Sequence, residues 1–389
     1  MRASSLARLI VAPLAFAGIA VAPTASATAS ATASATADPA PSTRPQLTAE
    51  QAAHLTAADY LGDWRPRPIK VTATADFTVD PDGAYPTVQS AVDAAVSAGG
   101  TARRFIAVKP GVHREVVCVP GSAPPITLYG TARSPAGTVI VYDHANPTPK
   151  PVGTPANPCN PNLSSATYGT GGSATFAAVA ADFQATNLTF ANDYVEDTYT
   201  SSNQSAVALS ASGDRQIYDN VRVLGNQDTL LNNTTSAAVT ARQYLRASYV
   251  EGDTDFIFGR ATAVFDLVQV NYVSSRRTDG VILAPSTAAA NPHGFLFVHG
   301  WFSVDDPDVV GTVRLGRAWD ESVGPLANYV NGVSPNGQAV IRESWLAGHL
   351  RPLDPWGPST IGRPFCTVDC AHSPNRFAEY HNLGPGRRP

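Results

Sequence analysis

The chain has 389 residues, 43% of them hydrophobic and 15% charged, enough apolar material for one sizeable core and too much for a disordered protein. Its 27 basic and 31 acidic residues give a formal charge of −4. That balance argues against nucleic acid as a partner and leaves room for an acidic polysaccharide held in a local basic groove.

Arg2 and Arg8 flank the start of an apolar run from Leu9 to Ala22, followed by the small-residue triplet Ala25-Ser26-Ala27. This is the layout of a secretory signal peptide over residues 1–27. The run is shorter than the roughly 20 residues that span a bilayer, so an exported chain with no membrane partner is expected. Removing the leader takes away two basic residues and no acid, leaving the mature protein more acidic. Residues 28–46 are dominated by Ala, Thr, Ser and Pro and read as a spacer with too little apolar bulk to fold.

Residues 47–66 form a helical segment. Ala52, Leu55 and Ala58 recur at helical spacing between Leu47 and Leu61, and Thr48 with Gln51 forms a capping box. A second amphipathic stretch, Thr87 to Ala95, sets Val88, Ala91, Val92 and Ala95 on one face, suited to capping the open end of a stack.

From about Arg104 onward, short β-branched and aromatic runs alternate with Gly, Asn, Asp and Pro, an all-β pattern. A polar-then-alternating motif recurs at Asn187-Leu188-Thr189-Phe190, Asn220-Val221-Arg222-Val223, Ser248-Tyr249-Val250 and Val268-Gln269-Val270. The spacing is irregular but within the range of solenoid coils. A β-sandwich also has many short strands, and composition does not separate the two. Four cysteines in an exported chain favour disulfides, and Cys118–Cys159 with Cys366–Cys370 is the expected choice among three pairings. A zinc site lacks a second close ligand pair.

Three clusters could carry chemistry. Gly225-Asn226-Gln227-Asp228-Thr229-Leu230 and Tyr249 through Gly259, with Asp255 before Phe256-Ile257-Phe258, put carboxylates beside apolar side chains, where burial raises a lone carboxyl's pKa. Asp228 and Asp255 are 27 residues apart, about one coil, so stacked coils would bring them to one face. Arg314-Leu315-Gly316-Arg317-Ala318-Trp319-Asp320 adds a guanidinium able to hold a carboxylate charged and an indole able to stack on a sugar. Singly, each has a plainer explanation: Gly-Asn-Gln-Asp is ordinary turn chemistry, and a lone Arg is usually a surface ion pair.

In order, these clusters resemble the pectin methylesterase family. The resemblance also takes in Tyr85-Pro86-Thr87-Val88-Gln89-Ser90-Ala91-Val92, Lys109-Pro110-Gly111-Val112-His113-Arg114-Glu115, Ser173-Ala174-Thr175-Phe176, Ala206-Val207-Ala208-Leu209 and Ala378-Glu379-Tyr380-His381-Asn382-Leu383-Gly384-Pro385-Gly386. It implies a right-handed parallel β-helix over residues 67–389 with short capping and side-packed helices. It also implies a monomer that acts on methyl-esterified homogalacturonan without metal or cofactor. By the same resemblance Asp255 is the nucleophile, Asp228 the general acid and base, Gln227 an oxyanion donor, and Arg317 the partner that orients Asp255. Trp319, Phe256, Gln204, Ser205 and Thr175 are expected to contact substrate.

Several positions depart from the family pattern. Ser205 stands where the family has Gln, with Gln204 one residue earlier, so either a bulge returns Gln204 to the groove or Ser205 serves with Gln227. Ala318 replaces a Pro and His113 a Tyr. Asp253-Thr254 replaces Thr-Val, and alternation would turn Asp253 to the face of Asp255. The chain also stops soon after Gly386, where the family has a helical tail, and residues 44–66 resemble that tail. They are expected to pack where the tail normally lies, as in a circular permutation. The alternatives are a β-helix lyase or polygalacturonase, for which the clustered acidic sites are not evident, and a wall-binding protein without turnover.

Overall fold

The computed structural model describes residues 44–388 apart from 73, 161–164, 368, 369 and 373. The expected signal peptide and nearly all of the spacer fall outside the described residues. Strands fall into three all-parallel sheets of ten, seven and eight strands, visited in rotation. One coil runs through Gln216–Asp219, Arg222–Leu224 and Leu230–Asn232, and the next through Arg242–Arg246, Tyr249–Gly252 and Thr254–Gly259. Partners lie one coil on: Gln216 opposite Gln243, Val223 opposite Val250, Leu230 opposite Ile257. This is a parallel β-helix.

No coil can bury its inward side chains alone, so the apolar residue of each strand stacks on its equivalent in the next. Phe176 packs on both Phe183 and Phe190, and Phe265 lies flat on Phe297 with ring centroids 4.2 Å apart. All five are fully buried.

The turn from the ten-stranded to the eight-stranded sheet is made by single residues in the left-handed region: Asn187, Asn220, Ala247, Leu267, His299, Glu343 and His381, with φ between 45 and 56°. Asn tolerates that conformation best, and the Asn220 side chain donates to that of Asn187 at 3.3 Å. The motifs expected at Ser248 and Val268 therefore begin one residue late, because Ala247 and Leu267 occupy the corner without a polar signature.

Both ends of the coil are covered. The helix Val88–Ala98 starts at a Thr87 capping box with Ser90 and buries Val88, Ala91, Val92 and Ala95. The Glu115 carboxylate accepts the backbone N–H groups of Val88 and Gln89 at 2.8 and 2.9 Å. At the other end Gln46 pairs in parallel with Glu379, beyond the last strand Arg376–Tyr380.

The single helix expected over Leu47–Leu61 is two, Ala49–Ala53 and Ala57–Leu61, because Thr56 with Asp59 forms a second capping box that restarts the helix. Leu55 and Trp64 pack with Tyr60 and Leu61 on Val264, Leu296 and Val340 of the ten-stranded sheet. The segment is thus docked on the β-helix. No helix among the described residues is long and apolar enough to cross a membrane.

Arg44 anchors the segment. It is fully buried and grips Glu379 with two hydrogen bonds, 2.7 and 2.8 Å, while also donating to the backbone oxygens of Pro352 and Gly386. Arg44→Met leaves the Glu379 charge buried without its counter-ion and is expected to cost about 3–5 kcal/mol, read as a lower denaturant midpoint. A loss under about 1 kcal/mol would show the pair to be incidental.

The disulfides are Cys118–Cys159 and Cys366–Cys370, the pairing expected from sequence. Both suit an oxidising compartment.

Candidate active site

The coil that carries Gln227 and Asp228 lies directly beside the coil that carries Asp255. Gln227 pairs in parallel with Thr254, and the Asp228 N–H donates to the Thr254 carbonyl at 3.0 Å. Asp228 and Asp255 therefore occupy equivalent positions on neighbouring coils. Both adopt the left-handed backbone conformation, φ 61 and 48°, which disfavours most side chains but which Asp and Asn tolerate. Both are 9% exposed or less.

Arg317 follows the strand Arg314–Gly316, two coils beyond Asp255. Its Nε donates to Asp255 Oδ1 at 3.0 Å and its Nη2 to Oδ2 at 2.6 Å. This planar fork balances the negative charge of Asp255 and fixes the plane of its carboxylate. Burial opposes the Arg317 cation, and the hydrogen bonds to Asp255 together with the charges of Asp255 and Asp228 outweigh it.

Asp228 lacks such a partner. Burial first, then the Asp255 charge, pushes its carboxyl well above the usual carboxylate range, with Asp253 adding to the rise. The Ser205 hydroxyl and Arg317 pull the other way without prevailing. The two aspartates thus sit in unlike environments, the condition for one to attack and the other to carry a proton.

Gln227 is partly exposed, and its side-chain amide makes no hydrogen bond to a described residue. Trp319, also partly exposed, leans on Phe258 with ring centroids 5.6 Å apart. The two edge an apolar strip of Ala174, Ala177, Val207, Leu231 and Ala284 on the outer face of the seven-stranded sheet.

Four expectations are corrected. Phe256 is fully buried inside the β-helix, because the register shifts between Thr254 and Ile257 and sends Phe256 and Ile257 both inward. Phe258 takes the outward place; the Asp-Phe-Ile-Phe string contains it, but strict alternation assigns the wrong ring. Thr175 is fully buried and does not line the groove.

Gln204 spends its amide within its own loop. It donates to the carbonyls of Tyr199 and Ser201 and accepts from the Tyr194 hydroxyl at 2.7 Å. It therefore stitches the loop rather than facing the groove, and Ser205, whose hydroxyl can give its single proton to Asn203 or to Asp228, is the residue beside Asp228. Asp253, finally, does not share the surface of Asp255: it is fully buried and pairs with Arg276 at 3.1 Å. Neither Arg276 nor its second partner Glu196 stands out in the sequence.

The pectinesterase family model matches residues 75–321. A pectinesterase of Ralstonia nicotianae is 48% identical over 89% of this chain and 92% of its own. The solved structure of rice weevil pectin methyl esterase, 34% identical, superposes with a TM-score of 0.79 over 89% of this chain and 98% of that one. The YbhC protein of Escherichia coli, provisionally named an acyl-CoA thioester hydrolase, is 31% identical over 100% of this chain and 98% of its own. With the fold, the paired aspartates and this breadth of similarity together, the chain belongs to the pectinesterase family of carboxylic ester hydrolases.

Proposed function

We propose that this enzyme hydrolyses the C6 methyl esters of galacturonate units in pectin, outside the cell, through an acyl-enzyme on Asp255. The observation that carries the proposal is the fork from Arg317 to Asp255 beside a buried Asp228 whose carboxyl is shifted toward its protonated form by burial and the Asp255 charge. An Asp255 oxygen attacks the ester carbonyl, and the resulting oxyanion takes a hydrogen bond from Gln227. As the intermediate collapses, the carbonyl–methoxy bond breaks and Asp228 gives its proton to the departing oxygen, releasing methanol. Water then adds to the Asp255-bound acyl group, the bond from the acyl carbon to the Asp255 oxygen breaks, and one water proton goes to Asp228 while the other leaves to solvent, freeing the galacturonate carboxylate and restoring Asp255.

Trp319, backed by the buried ring of Phe258, offers aromatic surface for the sugar ring, and the scheme calls on no metal or cofactor. The alternative of a binding protein without turnover is disfavoured by the intact Asp255–Arg317 pair, which a surface that only binds has no need to preserve. On methylated pectin the purified protein is expected to release methanol without generating new reducing ends or unsaturated products. Chain cleavage would instead indicate a hydrolase or lyase. Turnover of acyl-CoA but not of pectin would move the substrate to the thioester class.

A further inference from the structure

Three charged side chains from three different coils meet next to the catalytic pair without entering the scheme above. Asp253 lies in the turn before the strand Thr254–Gly259 and is fully buried. Arg276, in the loop between the strands Gln269–Tyr272 and Val281–Pro285, brings Nε to 3.1 Å from Asp253 Oδ2 and pairs its Nη2 with Glu196. Glu196 belongs to the long loop between the strands Thr189–Asn192 and Leu209–Ala211, the loop that also carries Ser205. In the order of the seven-stranded sheet, the coil of Asp228 lies between the coil of Glu196 and that of Asp253, with Arg276 one coil farther on. The ion pairs therefore bridge across the coil that holds the proton donor.

We propose that Arg276 is a positioning residue: by pairing with both Asp253 and Glu196 it straps the Ser205 loop against the catalytic coil and so fixes the surroundings in which Asp228 exchanges its proton. The chemistry favours Arg over Lys, because a planar guanidinium can serve two carboxylates from different nitrogens at once. A buried Asp253 without a counter-ion would be strongly disfavoured. The groups facing Asp228 are Asp255 and Asp253, which favour its protonated form, and Ser205 and Arg317, which favour its ionised form. Asp253 in turn faces Arg276, Arg277 and Glu196. The strap thus acts on Asp228 twice, by tempering the nearby Asp253 charge and by keeping Ser205 in place.

The inference rests on the ester-hydrolysis proposal, and the tests separate the two. In Arg276→Gln, Asp253 is unbalanced and repels Glu196, and Ser205 is released. The expected result is a fall in kcat of about tenfold or more, KM changed much less, and an alkaline limb of the pH profile moved up by about one pH unit. Asp253→Asn removes one of the charges that favour the protonated form while Arg276 still holds Glu196, so its limb is expected to move down. Glu196→Gln cuts the strap at its more exposed end and covers the case in which Arg276→Gln fails to fold; it leaves Arg276 on Asp253 and frees only the Ser205 loop, so the limb is expected to move up, by less than in Arg276→Gln.

Asp253→Asn and Glu196→Gln each remove one negative charge that pairs with Arg276, so opposite shifts from them are not expected of a merely structural contact. Unchanged profiles, or shifts of the same sign in Asp253→Asn and Glu196→Gln, would overturn the proposal. Should the unaltered enzyme release no methanol from pectin, the proposed function fails by itself. The strap is then judged by amide hydrogen exchange in residues 193–208, which is expected to quicken in Glu196→Gln and would count against the strap if unchanged.

Discussion

Asp255→Asn is expected to lower methanol release from methylated pectin by about 10³-fold or more while leaving the melting temperature within a few degrees. Asn is the informative substitution because residue 255 has φ 48°, and Asn accepts the left-handed conformation that would strain most other replacements. The backbone, the bulge and the inward packing of Phe256 should therefore survive. What is lost is the negative charge and nucleophilic oxygen facing the Arg317 fork. Arg317 keeps 31% of its side chain exposed, so water can solvate the guanidinium once its counter-ion is gone. Activity within tenfold of the unaltered enzyme would remove Asp255 from the nucleophile's role.

The second large effect is expected at Asp228, where activity and stability should move in opposite directions. Asp228→Asn removes the proton donor and is expected to reduce kcat by about 10²–10⁴-fold. In the folded enzyme, burial and the neighbouring Asp255 raise this carboxyl, whereas in the unfolded chain it titrates near about 3.9. Between those two values the native state binds more protons than the unfolded state, so stability falls as pH rises through the window. Asn has no proton to lose. Its stability advantage should be absent below about pH 3.9 and grow with pH until the folded-state carboxyl is ionised. Thermal melts of both proteins across the acid-to-alkaline range test this; a variant less stable than the parent at every pH would mean that Asp228 is ionised and well compensated. The same titration predicts that the unaltered enzyme loses kcat on the alkaline side, as the acid form disappears.

The all-β character was legible in the short alternating runs, but these fit a sandwich as well as a solenoid, and only the resemblance carried by the ordered motifs pointed to the parallel β-helix. Coil boundaries were less so. At Asn187 and Asn220 the left-handed corner leaves a polar mark, whereas at Ala247 and Leu267 stacking between coils imposes the same φ on residues that give no sign of it. In the site, the nearness of Asp228 and Asp255 followed from coil spacing, and the place of Arg317 beside them from the family resemblance. The orientation of Phe256 did not, since it depends on a one-residue register shift set by Thr254 and Ile257 against the next coil. Gln204 was misassigned for a similar reason: its amide is claimed by Tyr194, Tyr199 and Ser201, contacts that exist only once a long loop has closed. Arg276 and Glu196 are separated by 80 positions in the chain and belong to no local pattern.

The pairing of residues 45–47 with the final strand also bears on solubility. A stack of parallel strands ends in a row of free N–H and C=O groups, a template on which another polypeptide can add. Here Leu47 donates to the Glu379 carbonyl and the Glu379 N–H is taken by Pro45. The chain thereby satisfies the edge of its final strand at Glu379 with a segment drawn from the opposite side of the sequence. Loss of that short piece would uncover edge groups on the ten-stranded sheet, whereas Asp255 belongs to the seven-stranded one.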